Sequence, residues 1–288
     1  MGNKYKYTKI IILGSGKLAY ECALESRKYL ENVEVLEYKV TDSTVLQKCC
    51  EKDGIPYRCC EKLQLKEILL GQTGNTLVVS AGNTYLIPRS VIEKSNLMII
   101  NWHNALLPRH KGRNAESWSI YAGDLVTGIT WHQITEDVDA GDVIAQREIA
   151  IEPTMTAFQL FQKQCAVGAQ VFAEILEGVL TGECVLKKQS ADVNREMHYS
   201  HEIPNNGYVD LSWSGERLSC FLRAMNYGAL QLLGAIHLQW QGREYVFRKY
   251  KIQEEQMPEQ EDCNFMEGND FIIRRGNLKI VLRGLEQI

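Results

Sequence analysis

TKIIILGSGKLA, residues 8–19, decides the fold class. Residues 8–13 form a short, unbroken apolar run, the pattern of a strand covered on both faces. Gly14-Ser15-Gly16 interrupts it, and residues 17–30 then carry helical spacing, with Leu18, Cys22 and Tyr29 turned inward. A strand, a glycine turn and a helix make the opening of a parallel β-α-β unit. The alternation continues outward. Residues 33–38, 76–80 and 97–101 read as strands; 43–52, 63–70 and 88–94 read as helices. Residues 128–134 and 143–149 add two strands, and 156–180 form a long amphipathic helix closed at Gly182.

After Gly182 the character changes. Residues 187–206 are polar and read as a linker; 214–226 form a helix capped by Ser214. Strand-like runs follow at 235–240, 244–251, 270–274 and 278–282, with Gly242, Gly268 and Gly276 marking turns. The expected class is α/β: a Rossmann-like, mostly parallel sheet with helices on both faces, then a small β-rich C-terminal domain, part of a barrel. The expected division is 1–186 as catalytic domain, 187–206 as linker, and 207–288 as helix plus β-domain.

Bulk properties narrow the function. The apolar fraction of 45% is that of a globular protein, and a net charge of −4 argues against a surface built wholly to grip nucleic acid. No apolar run is long enough to span a bilayer. The N-terminal run flows into a glycine turn and not into a cleavage site, so it reads as a strand and not as a signal peptide. The nine cysteines are an odd number, and the doublets Cys49-Cys50 and Cys59-Cys60 lack C-x-x-C spacing. Free thiols in a reducing cytosol, and hence a cytoplasmic protein, are expected.

Three features carry chemistry. Gly14-Ser15-Gly16-Lys17-Leu18-Ala19 fits G-x-G-x-x-A, with Glu37 at the end of the next strand where an acid would hold a ribose. One reading is therefore an NAD-dependent oxidoreductase. A broader one is an anion site, in which Ser15, Gly16 and Lys17 hold a phosphate of the substrate at the helix N-terminus. Asn101 and His103, two apart at a strand end, face the same cleft. Glu136-Asp137-Val138-Asp139-Ala140-Gly141-Asp142 lacks the EF-hand spacing, so no metal is expected there. A carboxylate from this turn, set beside a buried histidine, orients it and raises its pKa.

NWHNALLPRHKGRN (101–114), followed by GITWHQITEDVDAGD (128–142), resembles the signature of the formyltransferases that use 10-formyltetrahydrofolate. This group includes the methionyl-tRNA, glycinamide ribonucleotide and sugar N-formyltransferases. GYVDLSWSGERL (207–218) is more weakly similar to the opening of the C-terminal domain of the methionyl-tRNA and sugar members. The resemblance implies Asn101, His103 and Asp139 as catalytic residues. It implies a folate held by Tyr85, Leu86, Ile87 and Pro88 and by the turn with Thr135, Glu136 and Val138. Asn101 and a protonated His103 would stabilise the oxyanion, with Asp139 keeping His103 charged. Ala105 stands where many relatives have Ser, and the 112–116 loop departs from methionyl-tRNA enzymes, which makes Arg113 and Asn114 candidates for reading the acceptor. An amino sugar nucleotide or another small or carrier-bound amine is expected over tRNA, which would demand several phosphate contacts. Methionyl-tRNA formyl transfer, hydrolysis of the formyl folate, and a non-catalytic folate regulator remain as alternatives. The exposed strands of the C-terminal part suit a homodimer.

Overall fold

The computed structural model describes residues 4–38, 43–190, 197–255 and 262–288. In chain order the elements begin β1 (Lys9–Gly14), α1 (Gly16–Ser26), β2 (Val33–Tyr38), α2 (Val45–Lys52), β3 (Tyr57–Cys60), α3 (Lys62–Leu70), β4 (Thr76–Ala81), α4 (Arg89–Ile92) and β5 (Leu97–His103). Then come β6 (Lys111–Gly112), α5 (Ala115–Ala122), β7 (Val126–Gln133), β8 (Val143–Ala150), α6 (Ala157–Thr181) and β9 (Met197–His198). The chain ends with β10 (Tyr208–Val209), α7 (Gly215–Ala224), β11 (Ile236–Trp240), β12 (Arg243–Phe247), β13 (Lys249–Glu254), β14 (Cys263–Glu267), β15 (Asp270–Arg275), β16 (Leu278–Arg283) and β17 (Glu286–Gln287).

Two compact units result, and they are not consecutive in the chain. The first takes residues 1–111, 128–149 and 162–196; the second takes 112–127, 150–161 and 197–288.

The first unit is organised by a seven-stranded sheet in the order β3-β2-β1-β4-β5-β7-β8. β1, β2, β3, β4 and β5 pair in parallel, and β7 joins β5 antiparallel. Ile11 and Leu13 pack with Leu65 and Leu69 of α3 and Val91 of α4. The alternate residues Ile10 and Ile12 are equally buried, so both faces are covered, as the unbroken apolar run requires. Gly14 passes close under β4: a Cβ there would stand 1.9 Å from the Ala81 carbonyl oxygen. That close approach explains the first glycine of the turn.

In the second unit α5 packs on α7, with Ser117 Oγ donating to the Ala224 carbonyl at 2.9 Å and the Arg217 guanidinium over the Tyr121 ring at 3.7 Å. Ser214 caps α7 as expected, accepting from Arg217 N at 3.2 Å. Two four-stranded sheets follow, β10-β11-β12-β17 and β13-β16-β15-β14. The run expected as one strand over 244–251 is divided between β12 and β13, which belong to different sheets.

Of the stretch read as a linker, 191–196 lies outside the described residues. Before it, Lys187 pairs with Val143 in a bridge with hydrogen bonds of 2.7 and 2.9 Å.

Candidate active site

Alternation along β5 and β7 separates packing from chemistry. Trp102 and Trp131 are register partners. Both face α6: Trp131 Nε1 donates to the Gly168 carbonyl at 3.0 Å, and a Cβ on Gly168 would stand 2.4 Å from the Trp102 indole. Asn101, His103, Thr130 and His132 therefore share the opposite face, with Asn101 across from His132 and His103 across from Thr130.

Asp139 enters from the turn between β7 and β8, in the left-handed region at φ 50°. Its Oδ2 lies 3.4 Å from His103 Nδ1 and its Oδ1 lies 3.5 Å from His132 Nε2. The three side chains are only 4%, 2% and 10% exposed for His103, His132 and Asp139.

Backbone carbonyls fix the tautomers, since a carbonyl only accepts. His103 Nε2–H donates to the His110 carbonyl at 2.9 Å, leaving Nδ1 toward Asp139. His132 Nδ1–H donates to the Gln133 carbonyl at 2.8 Å, leaving Nε2 to accept from Asn101 Nδ2 at 3.1 Å. Asn101 Oδ1 in turn accepts from Ser80 Oγ at 2.7 Å, and Asn83 Nδ2 donates to that oxygen at 3.4 Å. The Asn101 amide is thus held at both ends. One of its two N–H bonds is used by His132, and the other points to no acceptor among the described contacts.

Burial pushes the His103 imidazole below its ordinary value of 6.5, and the Asp139 charge opposes this without prevailing. Repulsion from His132 and His110 adds to the lowering, while the bond to the His110 carbonyl counteracts it. The expectation of a protonated His103 is therefore corrected. Desolvating a buried imidazolium outweighs one carboxylate at this distance. At neutral pH the ring is a neutral base.

Asn101, His103 and Asp139 come together, as the sequence led us to expect. Tyr85 is buried in the core with its ring 5.4 Å from that of Tyr38. Its backbone is pinned by Asn83, which accepts from Tyr85 N and donates to Tyr85 O, both at 2.9 Å. Leu86 and Val138 are exposed apolar side chains, at 77% and 45%. Ile87 is half-buried against the core, and Pro88 precedes the first residue of α4. Thr135 Oγ1 donates to the Asp137 carbonyl, and Glu136 pairs with Arg89 at 2.9 Å. Ser15 Oγ donates to the Gly82 carbonyl at 2.8 Å and does not cap α1. Gly16 has φ 65°, and exposed Lys17 pairs with Glu21 at 3.4 Å. Arg113 and Asn114 open α5 in the second unit, Asn114 at φ 55°.

The dinucleotide reading loses its acid. Glu37 is buried, and its Oε2 accepts from Thr44 Oγ1 at 2.7 Å and from Tyr57 OH at 2.8 Å. The protein itself uses the carboxylate that a ribose would need.

Sequence reasoning missed His132, Ser80, Asn83 and His110. The signal for His132 was present: a second histidine on the same strand parity as Thr130, opposite the N-x-H pair. It becomes readable only once β5 and β7 are paired antiparallel.

Comparison with known proteins supplies an independent line. The formyl transferase family profile matches residues 31–176. The chain is 30% identical over 149 residues to GDP-perosamine N-formyltransferase of Brucella melitensis biotype 1, covering 52% of this chain and 56% of that protein. It is 26% identical over 190 residues to methionyl-tRNA formyltransferase of Desulfotalea psychrophila, covering 65% and 58%. The chain thus spans little more than half the length of these relatives. Among solved structures, it is similar to the N-formyltransferase from Helicobacter canadensis in complex with folinic acid and dTDP-3-aminofucose. That match has a TM-score of 0.77 at 17% identity and covers 97% of this chain and 99% of the other.

Proposed function

We propose that this chain, which belongs to the formyl transferase family, moves a formyl group from 10-formyltetrahydrofolate to the primary amine of a nucleotide-linked amino sugar. The observation that carries the reading is the convergence of Asn101, His103 and Asp139 on one face at the β5–β7 join. The acceptor class is supported by the full-length likeness in fold to an enzyme whose structure holds folinic acid and dTDP-3-aminofucose. The net charge of −4 agrees with a small acceptor over tRNA.

The residues divide the work. The amine attacks the formyl carbon, forming a C–N bond and an oxyanion. The second N–H of Asn101 stabilises that oxyanion. His103, neutral at rest, takes the amine's proton at Nδ1, where Asp139 stabilises the resulting imidazolium. The bond from the formyl carbon to N10 of the folate then breaks, and the proton passes to N10. No metal enters these steps. Leu86 and Val138 offer exposed apolar surface to the folate's pterin ring. Ser15, Gly16 and Lys17 are proposed to meet an anionic part of the acceptor, and Arg113 and Asn114 to select it.

Methionyl-tRNA is the second reading, favoured by the identity to methionyl-tRNA formyltransferases over 65% of the chain. One assay separates them: 10-formyltetrahydrofolate with dTDP- and GDP-linked amino sugars or with initiator methionyl-tRNA, following release of tetrahydrofolate. Turnover with the sugars and not the tRNA is expected; the reverse replaces the acceptor. His103→Ala should abolish release with every acceptor, and a near-normal rate would remove the chemistry proposed for the site.

A further inference from the structure

The turn that carries Asp139 needs an anchor. Its C-terminal limb is tied to β7. Gln133 N donates to the Asp142 carbonyl at 2.9 Å, and Gly141 lies so close to β7 that a Cβ would stand 1.9 Å from the Gln133 carbonyl oxygen. Its N-terminal limb is tied at its root by Ile134 N, which donates to the Ile99 carbonyl at 2.9 Å, and carries the local Thr135–Asp137 bond and the exposed Arg89–Glu136 pair. Between the limbs, Asp139 sits at φ 50°, a conformation that costs energy for a residue with a side chain.

Further support comes from a residue distant in sequence. Gln189 Nε2 donates to the Asp139 carbonyl at 2.9 Å and to the Gly141 carbonyl at 2.8 Å. The Lys187–Val143 bridge brings this segment alongside the start of β8, and Gln189, two residues on, reaches the turn. Gln189 Oε1 is buried and makes no hydrogen bond among the described residues. A buried amide oxygen without a partner destabilises the fold. The glutamine keeps an orphan oxygen, and what it gains is two donors aimed at the backbone on either side of Ala140.

We propose that Gln189 is a positioning residue for formyl transfer, holding the backbone of the Asp139 turn so that the carboxylate stands between the rings of His103 and His132. It touches no reacting atom and acts through Asp139. The inference rests on the reading of Asp139 as the partner of His103. A Glu at 189 would turn a carboxylate oxygen toward the two carbonyls, and a Met would remove both donors while removing the orphan oxygen.

Gln189→Met separates positioning from stability. Expected are a slightly lower melting temperature, a kcat lower by about ten- to a hundredfold, and an acceptor KM within about twofold of the parent. His103 is faced by Asp139, His132 and the His110 carbonyl. Of these charges only Asp139 raises its pKa, so a loosened turn moves the acid limb of the kcat profile to lower pH. A parental kcat with a parental pH profile overturns the inference. Should Gln189→Met melt several degrees lower, Gln189→Lys, which returns a donor, decides: recovered kcat supports positioning, and no recovery overturns it. Asp139→Asn is run beside it. Normal turnover in that variant removes the underlying reading of Asp139, whereas an inactive Asp139→Asn with a fully active Gln189→Met removes this inference alone.

Discussion

Two buried carboxylates stand at strand ends of the same sheet, and they do opposite things. Glu37, at the end of β2, accepts hydrogen bonds of 2.7 and 2.8 Å from Thr44 and Tyr57, hydroxyls that hold their protons throughout the neutral range. Asp139, past β7, faces two imidazole nitrogens at 3.4 and 3.5 Å, longer than the 2.7–2.9 Å typical of a charged pair. Both are carboxylates largely shielded from solvent, so shielding alone does not distinguish them. What separates them is the neighbours, two hydroxyls against Glu37 and two imidazole rings against Asp139. Glu37 closes a structural knot, and the proposed mechanism has Asp139 support a base.

The sharpest way to break this contrast is to neutralise each acid. Asp139→Asn keeps the shape and removes the charge, and kcat should fall by about 10²–10³. Glu37→Ala should leave kcat and both KM values within about twofold of the parent, measured by tetrahydrofolate release. A large loss of kcat in Glu37→Ala would return the β1–β2 end to consideration as a catalytic region.

Next in size is the hydroxyl behind Asn101. Ser80 Oγ fixes which end of the amide faces His132. Ser80→Ala frees the amide to turn, and kcat should drop about tenfold with the folate KM nearly constant. A rise in folate KM with kcat intact would instead place Ser80 in donor binding.

On the structural side of the comparison, Tyr57→Phe removes one of two donors to a buried carboxylate. Urea unfolding should show about 1–2 kcal/mol lost, with turnover unaffected. An unchanged midpoint would mean that the Glu37 knot contributes nothing to stability.

The sequence made these two regions legible to different degrees. The glycine turn and the apolar runs of β1, β4 and β5 announce themselves, because a strand covered on both faces must be apolar throughout. β3, over Tyr57–Cys60, was not read: it is the sheet's edge strand, and only Cys60 among its residues is buried. β14 was missed for a similar reason, as Phe265 and Met266 remain partly exposed on an edge. At the site, Asn101, His103 and Asp139 were legible because they lie within the two stretches that carry the family resemblance. His132 lies in the second of them and was not seen, because its role depends on the register between β5 and β7. Gln189 was hidden by its polar surroundings, which read as a linker.

The smallest expected effect concerns pH and stability, and it belongs to the Asp139 side alone. In the folded protein burial holds His103 below the 6.5 of an unfolded chain. Between that folded value and 6.5 the unfolded state binds more protons than the folded one. Stability is therefore fully present above 6.5 and falls as the pH drops through the folded value. His103→Asn removes the group, so the difference in unfolding free energy between parent and variant should shrink as the pH falls from about 7 to about 5. Working with this difference isolates what position 103 contributes. A difference that grows toward acid would mean that Asp139 outweighs burial and that His103 is charged at rest. The proton would then be in place before the amine arrives, and His103 would serve as oxyanion partner instead of base.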